Sequence, residues 1–178
     1  MARVGLTGVL LVGGASTRFG SPKALARLGA ETLAERAWRV LGEACDERLA
    51  VGKQADGLAL PFELVDDGNE TRAALAGIVA GLRAAPTEVS VFLPVDTPLV
   101  SPAMLRELGG ACADASAAQT GPLPAAFRKT ALAVLERRLA EGRLALHEAL
   151  AELDTRTISV DETLLVNVNT PDELRRLG

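Results

Sequence analysis

Cysteine, histidine, lysine and long apolar runs are all scarce in this chain. Cys45 and Cys112 are its two cysteines; they stand far apart, with no His or Cys beside them at ligand spacing. That argues against a disulfide framework or a zinc site and for two buried or half-buried thiols in a reducing compartment. The lone histidine, His147, falls in a short amphipathic stretch and reads as a helix-face residue. Residues 4–12 are apolar but far too short to span a bilayer, and no basic, apolar and small-residue series marks a secretory leader. The expectation is a cytoplasmic protein with no membrane association. Excess positive charge is missing too: the net charge of −4 excludes a chain built to neutralise a phosphate backbone, though not one that binds mononucleotides. Among the 19 Lys and Arg residues only Lys23, Lys53 and Lys129 are lysines, which makes each worth locating.

What is present is the ordinary balance of a globular protein, 48% hydrophobic and 24% charged over 178 residues. That length suits a single domain, residues 1–178, burying roughly 70% of its unfolded surface. Strand and helix patterns alternate. "GLTGVLLV" (5–12) is a continuous apolar run of the kind buried on both faces of a sheet. Residues 32–45 follow with helical period, Thr32 and Glu35 forming a capping box at their start. Strands are expected at 47–52 and 62–65, a helix at 72–85, and a second strongly apolar strand at 89–95. Ser101 and Pro102 open another helix as N-cap and first-turn residue. "AAF" (125–127) ends a strand, residues 128–142 form a helix closed by Gly142, and a short helix occupies 143–152. Strands near 156–160 and 163–168 precede a terminal helix with Thr170 as N-cap, Pro171 first and Glu173 completing a second capping box. Trp38 is a packing residue of the first helix. The alternation predicts one three-layer α/β domain, a mostly parallel sheet with helices on both faces.

In such sheets ligands sit beyond the carboxyl ends of the strands. The stretch there after the first strand, "LLVGGASTRFGSPKAL" (10–25), has no hydrophobic period and contributes little to a core, so it is explained by what it holds. Gly13 and Gly14 let the backbone approach a ligand closely and permit positive φ. Neighbouring amides can cradle phosphates, with Arg18 and Lys23 supplying charge. Neither G-x-x-x-x-G-K-[ST] nor G-x-G-x-x-G is present.

Asp96, in "VDTP", ends the 89–95 strand on the same sheet edge. Its hard carboxylate oxygen suits Mg²⁺, which takes a carboxylate together with substrate phosphates; an Asp before Thr-Pro also suits an Asx turn. Asn167 and Asn169 alternate along an expected strand end, so their amides, each both donor and acceptor, should face one side.

Glycine loop, "VFLPVDTPLVSP" (91–102) and "LLVNVNTPDEL" (164–174), with "LAGIVAGLRAA" (75–85) between, together resemble the molybdenum cofactor guanylyltransferase family along nearly the whole chain. Phe19 stands where methionine is usual, "AALAG" (73–77) where "GPLAG" is usual, and "GPLPAAF" (121–127) lacks the customary histidine. The resemblance implies a nucleotide-diphospho-sugar-transferase-like, Rossmann-type fold and transfer of GMP from GTP to a molybdopterin-type acceptor with release of pyrophosphate. It implies nucleotide contacts at Leu11, Val12, Gly13, Gly14, Ser16, Lys23, Asp66 and Asp96, with Mg²⁺ on Asp96. Lys23, Asp96 and Arg18 would be catalytic, and Asn167 and Asn169 would bind the acceptor. Guanine is suggested by the double glycine, because cytidylyl relatives tend to have alanine first. Transient contact with molybdoenzyme-maturation proteins is a further implication. A cytidylyl- or sugar-phosphate nucleotidyltransferase of the same fold, or a nucleotide-binding module without turnover, stays open.

Overall fold

The computed structural model describes residues 5–13 and 18–178. Its centre is β1 (Leu6–Leu11), whose side chains alternate between two cores. Leu10 joins Val40 and Leu41 of α1 (Leu33–Ala44) and Met104, Leu105 and Leu108 of α3 (Pro102–Ala111) on one face. Val9 and Leu11 join Ile78, Val79 and Leu82 of α2 (Ala74–Ala84) and Leu135 of α4 (Leu132–Ala140) on the other. An unbroken apolar strand is what burial between two helical layers requires.

The remaining sheet strands are β4 (Glu47–Gly52), β5 (Leu64–Asp66), β6 (Val89–Pro94), β7 (Ala115–Ala118), β8 (Ala125–Arg128) and β9 (Thr155–Ile158). They run in the order β5-β4-β1-β6-β8-β7-β9, and only β8 is antiparallel to its neighbours. A separate two-stranded ribbon, β2 (Arg27–Leu28) with β3 (Glu31–Thr32), precedes α1. The chain leaves β1 toward β4 on one side and leaves β6 toward β7 on the other, so the topological switch lies between β1 and β6, where a crevice is expected.

Both expected capping boxes form: Thr32 with Glu35 opens α1, and Thr170 with Glu173 opens α6 (Pro171–Arg175). Ser101 caps α3 with Pro102 at its first position. Gly142, at φ 70°, ends α4 in a Schellman motif, its own amide bonding to Leu139 O and the Arg143 amide to Arg138 O. The helix begins later than expected, at Leu132, after a 3₁₀ turn over Lys129–Ala131. The short α5 likewise covers only Leu146–Glu152. His147 lies exposed on it, and Trp38 stacks on Phe62 with ring centroids 4.3 Å apart. Cys45 and Cys112 are free thiols, pushed up to about 12 and about 11 by burial.

Two expectations are corrected, and one strand has no sequence reading. Residues 163–168 form no strand: a 3₁₀ turn over Glu162–Leu165 is capped by Asp161, and the chain then runs extended outside the sheet. β7, with the sequence ASAA, has no β-branched or aromatic residue to announce it, yet it is fully buried between β8 and β9. And the opening stretch does enter a core. Phe19 is buried with Leu33, Val168 and Leu174 in a small third cluster, and Ala24 is buried beside α1's face.

Candidate active site

Because six of the seven strands share one direction, their carboxyl ends meet along one edge, where the connecting segments wall a cleft of about 640 Å³. That is the size range of small-molecule sites. Leu11 and Gly13 come from the end of β1, Gly52 and Lys53 from the end of β4, and Pro94 and Asp96 from the end of β6. Asp67, Arg72 and Ala73 enter from the segment between β5 and α2. The far wall is the β7–β8 turn, Thr120 to Leu123, with Glu162, Leu165 and Asn167 from the C-terminal segment.

Gly13 is not in the left-handed region, and a Cβ built on it would meet no atom of the described residues within 4 Å. The fold therefore tolerates a side chain there; what the glycine preserves is space in the cleft. Gly14 and Ser16 lie outside the described residues. Val12 is not part of the cleft wall: its amide bonds to Val51 O at 2.9 Å and its side chain is buried in the core beneath α1 and α3. Arg18 is exposed and is not part of the cleft wall.

Lys23 opens a single 3₁₀ turn, Lys23–Leu25, that brings its side chain back to the end of β6. Its ammonium lies 3.6 Å from Asp96 Oδ2 and donates to Asn169 Oδ1 at 3.3 Å. Asp96 leaves the shaping of its own turn to its neighbours. The buried Thr97 hydroxyl donates to Pro94 O at 3.1 Å, and Arg36 Nε donates to Pro98 O at 2.7 Å. The Asp96 carboxylate is thus at the cleft, next to a cation, with no part in an Asx turn. Its backbone oxygen accepts from Val168 N at 2.8 Å, which fixes the C-terminal segment to the end of β6. With Val168 buried, Asn167 and Asn169 flank it, the first lining the cleft and the second meeting Lys23. The two asparagines therefore do reach one site, although not by strand alternation.

Asp66 is placed differently from its neighbour. Its exposed carboxylate accepts from Gln54 N and Gly68 N, both at 2.8 Å, and these bonds hold it below the ordinary carboxylate range. Asp67 is the one that faces the cleft, bound to Lys53 at 2.8 Å. Lys53, Asp67, Arg72 and Glu162 were not anticipated as wall residues. The available signal was positional: Lys53 immediately follows a parallel strand adjacent to β1. Among the described residues no three His, Cys, Asp or Glu side chains converge on a point that could hold a metal ion. Among the described residues no helix is long and apolar enough to cross a membrane.

The family model for the MobA-like NTP transferase domain matches residues 8–157. A probable molybdenum cofactor guanylyltransferase of Chloroflexus aggregans is 34% identical, covering 96% of this chain and 92% of its own. The molybdenum cofactor guanylyltransferase of Desulfosudis oleivorans is 32% identical over 96% and 93%. Among solved structures, molybdopterin-guanine dinucleotide biosynthesis protein A from Archaeoglobus fulgidus superimposes with a TM-score of 0.82 at 28% identity, over 96% of each chain.

Proposed function

The chain belongs to the MobA-like NTP transferase family, and from that premise we propose that it transfers GMP from GTP to a molybdopterin-type acceptor. An oxygen of the acceptor's phosphate attacks the α-phosphorus of GTP, the bond from that phosphorus to the β-phosphate oxygen breaks, and pyrophosphate leaves. The nucleophile is already ionised at neutral pH, so no general base is needed. Alignment and charge neutralisation then carry the rate.

The observation that carries this reading is the meeting of Lys23, Asp96 and Asn169 at the mouth of the β1–β6 crevice. Gly13 leaves the base and phosphates room against the end of β1. The Lys23 ammonium, largely withdrawn from solvent, offsets charge on the triphosphate, and the exposed Arg18 can add to it from the loop. Asp96, a carboxylate free of structural duties, would hold Mg²⁺, which when bound neutralises phosphate oxygens and polarises the reacting phosphorus. Asn167, on the cleft wall, and Asn169, beside Lys23, would present amides to the acceptor. Asp67, rather than Asp66, is the acidic group of the β5–α2 segment that can reach the nucleotide.

Thermal unfolding with GTP, CTP or UTP in the presence of Mg²⁺ tests the donor. A ligand that binds only the folded state at 100-fold excess over Kd adds about 2.7 kcal/mol, so the GTP shift should exceed the other two. A larger shift with CTP would assign the chain to cytidylyl transfer. Nucleotide binding with no pyrophosphate released in the presence of the acceptor would make it a binding module.

A further inference from the structure

We propose that Lys53 is a positioning residue that holds the cleft wall between β5 and α2 in shape for the donor nucleotide; this rests on the nucleotide reading above. The wall is residues 66–73, DDGNETRA, a run with no apolar residue to anchor it except the final alanine. Nothing but polar contacts can fix its path. Asp66 is tied to the Gln54 and Gly68 amides and Arg72 to Asp56 at its two ends, and the middle converges on one atom: the Lys53 ammonium donates to the Asp67 carboxylate, 2.8 Å from Oδ1 and 2.9 Å from Oδ2, to Thr71 O at 3.1 Å, and to Asn69 O. The side chains involved are withdrawn from water, Lys53 being 12% and Asp67 7% exposed.

A second tier of bonds hangs on the first. Asp67 Oδ1 accepts from Asn69 N at 3.0 Å, and Asn69 Oδ1 accepts from Thr71 N at 2.8 Å. Two of the segment's amides are therefore protected only by side chains, in a web that the ammonium ties together. The same segment delivers Asp67, Arg72 and Ala73 to the cleft. Lys53 thus acts on the ligand through the wall.

The backbone offers an independent way to stiffen this wall, and that makes the role testable. Ala73, the N-cap of α2, is extended at φ −139° and ψ 146°, a conformation open to a residue preceding proline. Ala74 is the first helical residue, where proline's fixed φ suits the helix and no intrahelical bond is lost. Ala74→Pro should therefore restrict the segment without any lysine.

The experiment compares wild type, Lys53→Met, Ala74→Pro and the double variant by two readouts: hydrogen exchange of the nucleotide-free protein, and calorimetric GTP affinity with Mg²⁺. In Lys53→Met, exchange over 68–71 should rise while β1 and α1 keep their protection, and GTP affinity should fall roughly 10- to 100-fold, the scale of a misplaced binding group. Adding Ala74→Pro should recover most of that affinity, which repair of a merely structural lysine would not do. Unchanged exchange in Lys53→Met, or faster exchange with GTP affinity at the wild-type level, overturns the proposal. Should Lys53→Met fail to fold, Lys53→Gln removes the same ammonium with a polar side chain in its place, and the same outcomes apply. A wild type that binds none of the three nucleotides overturns the nucleotide reading itself, an outcome the wild-type arm reports before any variant is compared.

Discussion

Asp96→Asn separates catalysis from architecture, because the structure assigns the carboxylate no structural task. The turn it sits on is closed by Thr97 and braced by Arg36, and the bond to Val168 uses the backbone oxygen, which asparagine keeps. What the substitution removes from the folded protein is one ion pair with Lys23, at 3.6 Å and with side-chain exposures of 15% and 29%. Such a partly exposed pair contributes about 0–1 kcal/mol. At roughly 2–4 °C per kcal/mol for a chain of this size, the melting temperature should move by no more than about 4 °C. Turnover has far more to lose. If Asp96 holds the cation that offsets phosphate charge in the transition state, several kcal/mol disappear. At about 1.4 kcal/mol per factor of ten, that is two or more orders of magnitude in rate. The assay is pyrophosphate release with GTP, acceptor and graded Mg²⁺, alongside calorimetry of the nucleotide-free protein. Near-normal release with an unaltered Mg²⁺ requirement refutes the metal assignment. A collapse of the melting temperature refutes the structural half of the reasoning.

Two further predictions concern the scaffold. A Cβ on Gly81 would come within 2.8 Å of both Phe92 Cε1 and Val9 Cγ1, two fully buried core side chains. Gly81→Ala should therefore lose about 1–3 kcal/mol to overpacking, offset by about 1 kcal/mol of helix propensity; denaturant unfolding that shows a net gain of that propensity would refute the close approach. On the other side of α4, the wholly buried Arg138 donates to Glu148 Oε2 at 2.7 Å, and that bond lowers the Glu148 carboxyl below its ordinary value of 4.5. A carboxylate with a lowered folded-state value stabilises fully above the unfolded value and loses that contribution as pH falls through the folded one. Wild type should thus exceed Glu148→Gln in stability at pH 6–7, the gap closing below about pH 4.5; a gap constant from pH 7 to pH 3 would show that the ion pair contributes nothing.

Elements with a repeating apolar pattern and a polar start were legible in the sequence. β4 falls on the expected residues 47–52, and both capping boxes form because Thr and Glu three apart satisfy each other's backbone amides locally. The misses share a cause, which is that the deciding contact is distant in the chain. β7 is buried by its neighbours, with only alanines and a serine of its own to signal it. Residues 163–168 have the apolar content of a strand, yet the partner that fixes Val168 is the end of β6 rather than a sheet edge. Lys53 and Asp67 sit 14 positions apart, and neither shows in isolation that the other neutralises it. At the candidate site, Lys23 and both asparagines are singled out by motif alone, and Gly13 and Asp96 could be placed because motif and strand end coincide. The choice of Asp67 over Asp66 could not, because adjacent carboxylates at a strand end differ only in which way the chain turns next. Here Asp66 turns to the amides of Gln54 and Gly68, leaving Asp67 for the cleft.

The same geometry explains how a stretch without hydrophobic period can hold a charged side chain in place. Phe19 and Ala24 bracket the return of the loop, each buried, and they bury against different clusters. Phe19 shares its cluster with Val168 and Leu174, so the opening loop and the C-terminal segment are two halves of one apolar contact. Lys23, between the two anchors in sequence, meets Asn169, next to Val168, and Asp96, whose backbone holds Val168. Burying a phenylalanine is worth about 1.5–3 kcal/mol, against about 0–1 kcal/mol for a partly exposed ion pair such as that of Lys23 with Asp96. The apolar residues therefore set the position and the polar ones occupy it. A methionine at position 19, the residue usual in the resembling family, could fill the same gap with a more flexible chain, so the anchoring role needs an apolar side chain of that size rather than an aromatic ring.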